Sequence, residues 1–279
     1  MDTSTFSFTA LYTGETWVAN GLSLPELRTP AGDLMYKLAA PAEWAGGKLF
    51  GTNLRRMLVA RHALIDRLLA GLVADMPGLQ ILEIACGLSA RGWRFSRQFP
   101  ELRYVEADLP AMAALKVKAL SRVSGLSTHH AVAAIDVLAA DGPLALDTVL
   151  AQSFDPGRPV AVVTEGLMNY FTLDTATDIW CRLAQALRRF PAGVYLTETY
   201  PRPGNGLLRL AVRAGAAGLR AISRSDAGIH FETPEAGARH LADCGFADIE
   251  TAYPPEGRMV SVLTARVQAS PSATATTTA

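Results

Sequence analysis

Residues Gly78–Pro110 read GLQILEIACGLSARGWRFSRQFPELRYVEADLP, and the fold turns on them. Leu79–Ile84 is short, apolar and rich in β-formers, the pattern of a buried strand. Ala85–Ser89 is dominated by small residues, where the chain must turn tightly. Ala90–Phe99 is helical in composition, and Tyr104–Asp108 reads as a second strand with Glu106 and Asp108 at its end. A strand feeding a small-residue loop at a helix N-terminus, with an acid about 20 residues on, holds nucleotide-like ligands. The loop lets the ligand approach the backbone, and the acid accepts hydrogen bonds from ribose hydroxyls.

The phosphate side of that pattern is weak. A dinucleotide fingerprint wants three glycines, and the three positions here are Ala85, Gly87 and Ala90. No P-loop lysine follows. Instead Glu83 sits in the strand just before the loop, where it repels pyrophosphate and attracts a cation. A ribose-bearing cofactor with a sulfonium and an ammonium, S-adenosylmethionine, suits such a site better than NAD.

Working outward, Asn53–Val73 is the clearest helix: Leu54, Leu58, Leu64, Ile65, Leu68, Leu69 and Leu72 recur at three- and four-residue intervals. Residues 1–50 are rich in aromatics, glycine and proline, and their helical periodicity is short. They read as an N-terminal arm packed on the main domain or as a lid with Tyr12 and Trp17 facing substrate. Downstream, helices are expected at Ala111–Leu120, Pro143–Ala151 and Leu173–Phe190, the last opening at Thr172. Strands are expected at His129–Ile135, Pro159–Thr164 and Gly193–Thr199. Strands alternating with helices predict a Rossmann-like α/β fold, a mostly parallel sheet with helices on both faces. Glu83, Asp108, Asp136 and Glu165 then all fall at or just past strand C-termini, the ligand-binding edge of an open α/β sheet.

Residues 200–230 interrupt the alternation with a basic, glycine-rich stretch, read as a surface insertion or a substrate cap. Pro234–Cys244 is the next helix, stopped by Gly245. Ala247–Ala252 and Met259–Val267 close the domain as two strands without a helix between them, the usual end of a seven-stranded class I methyltransferase sheet. The domain therefore spans 51–268, and the low-complexity tail 269–279 reads as disordered.

Composition excludes several classes. The 279 residues carry 26 basic and 26 acidic side chains, which argues against a nucleic-acid partner held through phosphates and against a polybasic membrane patch. No apolar run approaches the roughly 20 residues of a membrane span. The first ten residues lack the basic region of a signal peptide. Cys86, Cys181 and Cys244 are far apart and odd in number, which suits a reduced, cytoplasmic compartment without disulfides or a metal site. Oligomeric state is not readable.

The chain resembles the leucine carboxyl methyltransferase-like family of class I S-adenosylmethionine-dependent methyltransferases, which includes bacterial polyketide-type O-methyltransferases of secondary metabolism. The likeness rests on ILEIACGLSARGWRF, on YVEADLP followed by Lys116, on AIDVL, on TEGLMNYF and on the upstream VARHALID. It covers roughly residues 50–200. The resemblance implies that Arg61 pairs with the cofactor's carboxylate, that Gly87 admits the cofactor to the loop, and that Asp108 holds the ribose with Glu106 as a second candidate. It further implies that Asp136 and Val137 contact the adenine, that Glu165 binds the ammonium, and that Tyr170 stands beside the transferring methyl. Ala85 replaces the usual first glycine, and a negative φ would accommodate its methyl group.

The expected activity is methylation of a small molecule, O-directed onto a carboxylate or an acidic hydroxyl. The alternatives are a protein C-terminal carboxyl methyltransferase and a protein of this fold that binds the cofactor without transfer. A hydroxyl acceptor usually needs a base. Of the five histidines, His62 is expected to turn away from the face of Arg61, His129 and His130 to be exposed, and His240 to be structural. His230 is the one placed near an acceptor, with Tyr200 also on the substrate side.

Overall fold

The structure, a computed structural model, describes residues 6–50, 53–200, 206 and 228–268. Seven strands form one sheet: β1 (Gln80–Ile84), β2 (Arg103–Asp108), β3 (His130–Ala134), β4 (Val160–Thr164), β5 (Gly193–Thr199), β6 (Ala247–Ala252) and β7 (Ser261–Val267). Their order is β3-β2-β1-β4-β5-β7-β6. Strands β1 to β5 pair in parallel, and β7 runs antiparallel to both β5 and β6. The order reverses at β1 and β4, so a crevice opens there at the strand C-termini.

The central strands read as continuous apolar runs because helices cover both sheet faces. On β4, Val160 and Val162 face one core while Ala161 and Val163 face the other. The first core is completed by α6 (Leu146–Ser153), α7 (Leu173–Leu187) and α8 (Pro234–Asp243). The second is completed by α3 (Leu54–Asp75) and α4 (Arg91–Gln98). Helix α5 (Pro110–Leu120) packs in a smaller cluster with Leu27 and Leu88. The side chain of Asn53 caps α3 by accepting from the Arg56 amide at 3.0 Å, and Thr172 caps α7 by accepting from Thr175 at 3.2 Å.

The N-terminal region differs from its sequence reading. It forms two helices, α1 (Phe6–Ala19) and α2 (Pro30–Phe50), the second running through Pro41. The periodicity misleads because Leu34, Leu38, Trp44 and Leu49 of α2 are exposed, so its apolar positions do not mark a buried stripe. Helix α6 begins at Leu146 rather than at Pro143. The expected cap at 200–230 lies outside the described residues except for 200, 206 and 228–230, and the tail 269–279 lies wholly outside them.

Gly193 opens β5 where the sheet, α7 and β7 converge. A Cβ there would lie 2.7 Å from Leu187 Cβ and 2.8 Å from Val267 Cγ2. Gly193→Ala should therefore cost about 1–3 kcal/mol by overpacking, read from the urea midpoint. An unchanged midpoint would mean that this junction has slack.

Candidate active site

The loop after β1 runs through two left-handed residues, Ala85 at φ 57° and Gly87 at φ 49°. The expectation of a negative φ at Ala85 is thus overturned: the tight turn demands the left-handed region, where an L side chain costs about 1–2 kcal/mol. Asp108, at the end of β2, holds this loop. One carboxylate oxygen accepts from the Gly87 amide at 2.7 Å, and the other accepts from its neighbour Leu109 at 2.8 Å. Burial raises its pKa, and these two amides oppose the rise. Each oxygen keeps a further lone pair for a ligand.

Helix α1 lies over the loop. A Cβ on Gly87 would be 3.6 Å from the Ala10 methyl, and one on Gly14 would be 2.9 Å from Leu88 Cβ. Thr9 hydrogen-bonds to Tyr170, which sits in the short turn Met168–Tyr170 after β4. Trp17 is buried and stacks on His62 with ring centroids 4.3 Å apart.

Beneath Trp17 a buried ion network joins α3, α4 and the ends of β1, β4 and β5. Arg61 donates Nε–H to Glu165 at 2.9 Å, lies 4.0 Å from Glu198 and hydrogen-bonds to the Tyr200 hydroxyl. Arg91, with no exposed surface, contacts Glu83 at 2.6 Å, Asp66 at 2.6 Å and Glu165 at 2.5 Å. Nε2 of His62 lies 2.9 Å from Arg94 Nη2, and its Nδ1 lies 2.8 Å from Glu165 and 2.7 Å from Arg91 Nη2. Burial alone would raise the pKa of Glu165, yet His62, Arg91 and Arg61 together hold it well below the usual carboxylate range.

The structure brings Arg61, Gly87, Asp108, Asp136 and Glu165 to one edge of the sheet. It takes two expected ligands out of that set. Glu83 is buried and occupied by Arg91 and by the Tyr104 hydroxyl at 2.7 Å. Glu106 is fully buried and held by Lys116 and His130, each at 2.7 Å. Burial pushes Glu106 up, but Lys116 and His130 bring it down to about 2. Asp136 caps its own turn through the Leu138 amide at 2.9 Å, and the Val137 carbonyl accepts from Arg182. Tyr12 faces away from the loop, with its hydroxyl 3.2 Å from Glu43 and 3.4 Å from Arg55.

Two histidine expectations fail. His62 lies inside the network rather than turned from it, and His130 is buried against Glu106. Sequence reading also missed Arg91, Asp66 and Glu198. Arg91 carried one signal, a charged residue opening a helix whose other buried positions are small or apolar. Among the described residues no three His, Cys, Asp or Glu side chains converge as a metal site requires.

The strand order, the reversed last strand and the loop–acid pair define the class I methyltransferase fold. Solved structures agree on the fold. A family protein of Streptomyces avermitilis aligns over 93% of this chain and 97% of its own, with TM-score 0.64 and 16% identity. Magnesium protoporphyrin IX methyltransferase from Synechocystis PCC 6803 with bound S-adenosylhomocysteine aligns over 76% and 85%, with TM-score 0.51 and 17% identity. The chain belongs to the leucine carboxyl methyltransferase family, whose profile matches residues 30–184, more than half its length. A candidate S-adenosyl-L-methionine-dependent methyltransferase of Mycobacterium tuberculosis is 34% identical over 111 residues, 39% of this chain and 35% of the relative. One from Frankia alni is 32% identical over 135 residues, 46% of this chain and 40% of the relative. The chain thus spans less than half the length of these curated relatives.

Two stability measurements probe this geometry. Ala85→Gly removes the strained methyl and should raise stability by up to about 1 kcal/mol in urea titrations; a loss would mean that the methyl group packs favourably. Glu106→Gln leaves Lys116 buried without its counter-ion and should cost about 3–5 kcal/mol at pH 7. The folded pKa of Glu106, about 2, lies below its unfolded value near 4.3. Its stabilisation is therefore full above about pH 4.3 and lost as pH falls through about 2, so the gap between wild type and variant should narrow across that window. A gap independent of pH would exclude the ion pair as its source.

Proposed function

We propose that the chain is an S-adenosylmethionine-dependent methyltransferase, working in the cytoplasm, that methylates an oxygen atom of a small molecule. The observation that carries this reading is the buried Arg61–Glu165 pair, 2.9 Å apart at the sheet edge beside the Asp108-braced loop. The amino-acid end of such a cofactor carries one carboxylate and one ammonium. Arg61 offers a fork of donors to the first, and the depressed pKa of Glu165 keeps it anionic for the second. Gly87, having no side chain, would let the cofactor approach the loop backbone. Asp108 has lone pairs left for ribose hydroxyls, and Asp136 and Val137 would contact the adenine. Tyr170, tethered to Thr9, would bound the methyl group, while α1 excludes water from above.

When bound, the cofactor supplies an electrophilic methyl group on a positively charged sulfur. The protein's share is alignment and desolvation. Buried Trp17 screens the ion network from solvent, and Tyr200 orients Arg61. The small-molecule acceptor is favoured over a protein C-terminus because α1 packs on the loop and narrows the approach to the site.

Calorimetry with S-adenosylhomocysteine tests the site. Glu165→Ala and Asp108→Ala should each weaken binding tenfold or more, since each removes charge-assisted hydrogen bonds of roughly 1.5–3 kcal/mol. Circular dichroism would confirm that both variants are folded. Unchanged affinity in both would sink the assignment. Mass spectrometry of a metabolite extract and of a leucine-ended peptide, each incubated with cofactor, separates the two kinds of acceptor.

A further inference from the structure

A cavity of about 10 Å³ lies between the end of β5 and the segment leading into α8. It has room for about one water-sized group. Trp180, Phe231 and Leu263 contribute apolar walls, and two chemically active side chains, Glu198 and His230, also line it. The cofactor reading uses neither of them.

Glu198 is 5% exposed, and only one of its oxygens is satisfied. Oε1 accepts from the Gly166 amide at 2.9 Å, whereas Oε2 is buried with no hydrogen-bond partner among the described residues. A buried carboxyl oxygen left so is costly and calls for a ligand group. The other side chain has a defined polarity. Nε2 of His230 lies 3.1 Å from the Met168 carbonyl oxygen. A carbonyl only accepts, so Nε2 carries the hydrogen and the neutral ring keeps a lone pair on Nδ1.

We propose that this niche receives the hydroxyl of the methyl acceptor, an alcohol or a phenol, which gives its proton to Nδ1 of His230 beside Glu198. The inference rests on the methyltransferase reading and names the acceptor class for it. A hydroxyl brings the hydrogen that these two lone pairs lack. A carboxylate only accepts, so it cannot satisfy the Nδ1 lone pair. Burial raises the pKa of the Glu198 carboxyl, and Arg61 opposes the rise. In the transfer the hydroxyl proton moves to Nδ1 as the oxygen bonds to the methyl carbon. The carbon–sulfur bond breaks with its electron pair left on sulfur, and the imidazolium returns its proton to solvent.

The test uses the full chain labelled with 15N-histidine and saturated with S-adenosylhomocysteine. The His230 signals, assigned with His230→Gln, should report the Nε2–H tautomer. Added phenol should move the Nδ1 resonance saturably, and benzoate should not. Glu198→Ala should weaken phenol binding at least tenfold, and so should His230→Gln by ligand-observed NMR, while His230→Gln keeps its S-adenosylhomocysteine affinity within twofold. An Nδ1–H tautomer, a resonance unmoved by phenol, or an equal response to benzoate would overturn the proposal. If wild type fails to bind S-adenosylhomocysteine in calorimetry, the methyltransferase reading itself falls, a result distinct from those three.

Discussion

A guanidinium with no exposed surface must have its charge met where it lies, and Arg91 has that requirement at the centre of this fold. It stands at the first turn of α4 and reaches three acids from three different elements: Glu83 in β1, Asp66 in α3 and Glu165 after β4. Such a cluster need not add net stability over an apolar core, but removing one member leaves the others uncompensated. Its consequence is therefore geometric. The helix after the loop, the helix beneath it and the end of β4 keep one mutual arrangement, and the cleft between them keeps its shape.

Glu165 serves both structure and ligand reading. It accepts from His62, Arg91 and Arg61. Under the proposed reading, the Arg61–Glu165 pair would meet the carboxylate and the ammonium of an amino-acid group, with Arg91 and His62 still beside Glu165. Helix α1 is linked to the same group through the Trp17–His62 stack and through Thr9 to Tyr170. The N-terminal helix and the ion network thus share one boundary.

Much of the fold is legible in the sequence because it rests on local pattern. Strands β1 and β4 announce themselves as short runs of β-branched and apolar residues, and α3 by its leucine spacing and its Asn53 cap. Helices α1 and α2 do not, because α2 leaves four large apolar side chains in solvent and contains Pro41. The five acids at strand ends look alike in sequence, yet they divide. Glu83 and Glu106 are register partners on neighbouring strands and both point under the α3–α4 layer, where cations seal them. Asp108, two residues beyond Glu106, clears the end of the paired region of β1 and meets backbone amides instead.

The sequence alone determined the order of strands and helices from α3 onward, the tight turn after β1 and the acids at the strand ends, because these follow from periodicity and from the geometry of small residues. The tertiary structure alone decided which cation each of those acids meets. Arg61 and Glu165 are 104 positions apart, and Glu83 and Arg91 only eight, yet both pairs are in contact. A carboxylate's partner is chosen by which cation the folded chain carries to within about 3 Å of it, and in a buried site that choice fixes both its charge and its availability.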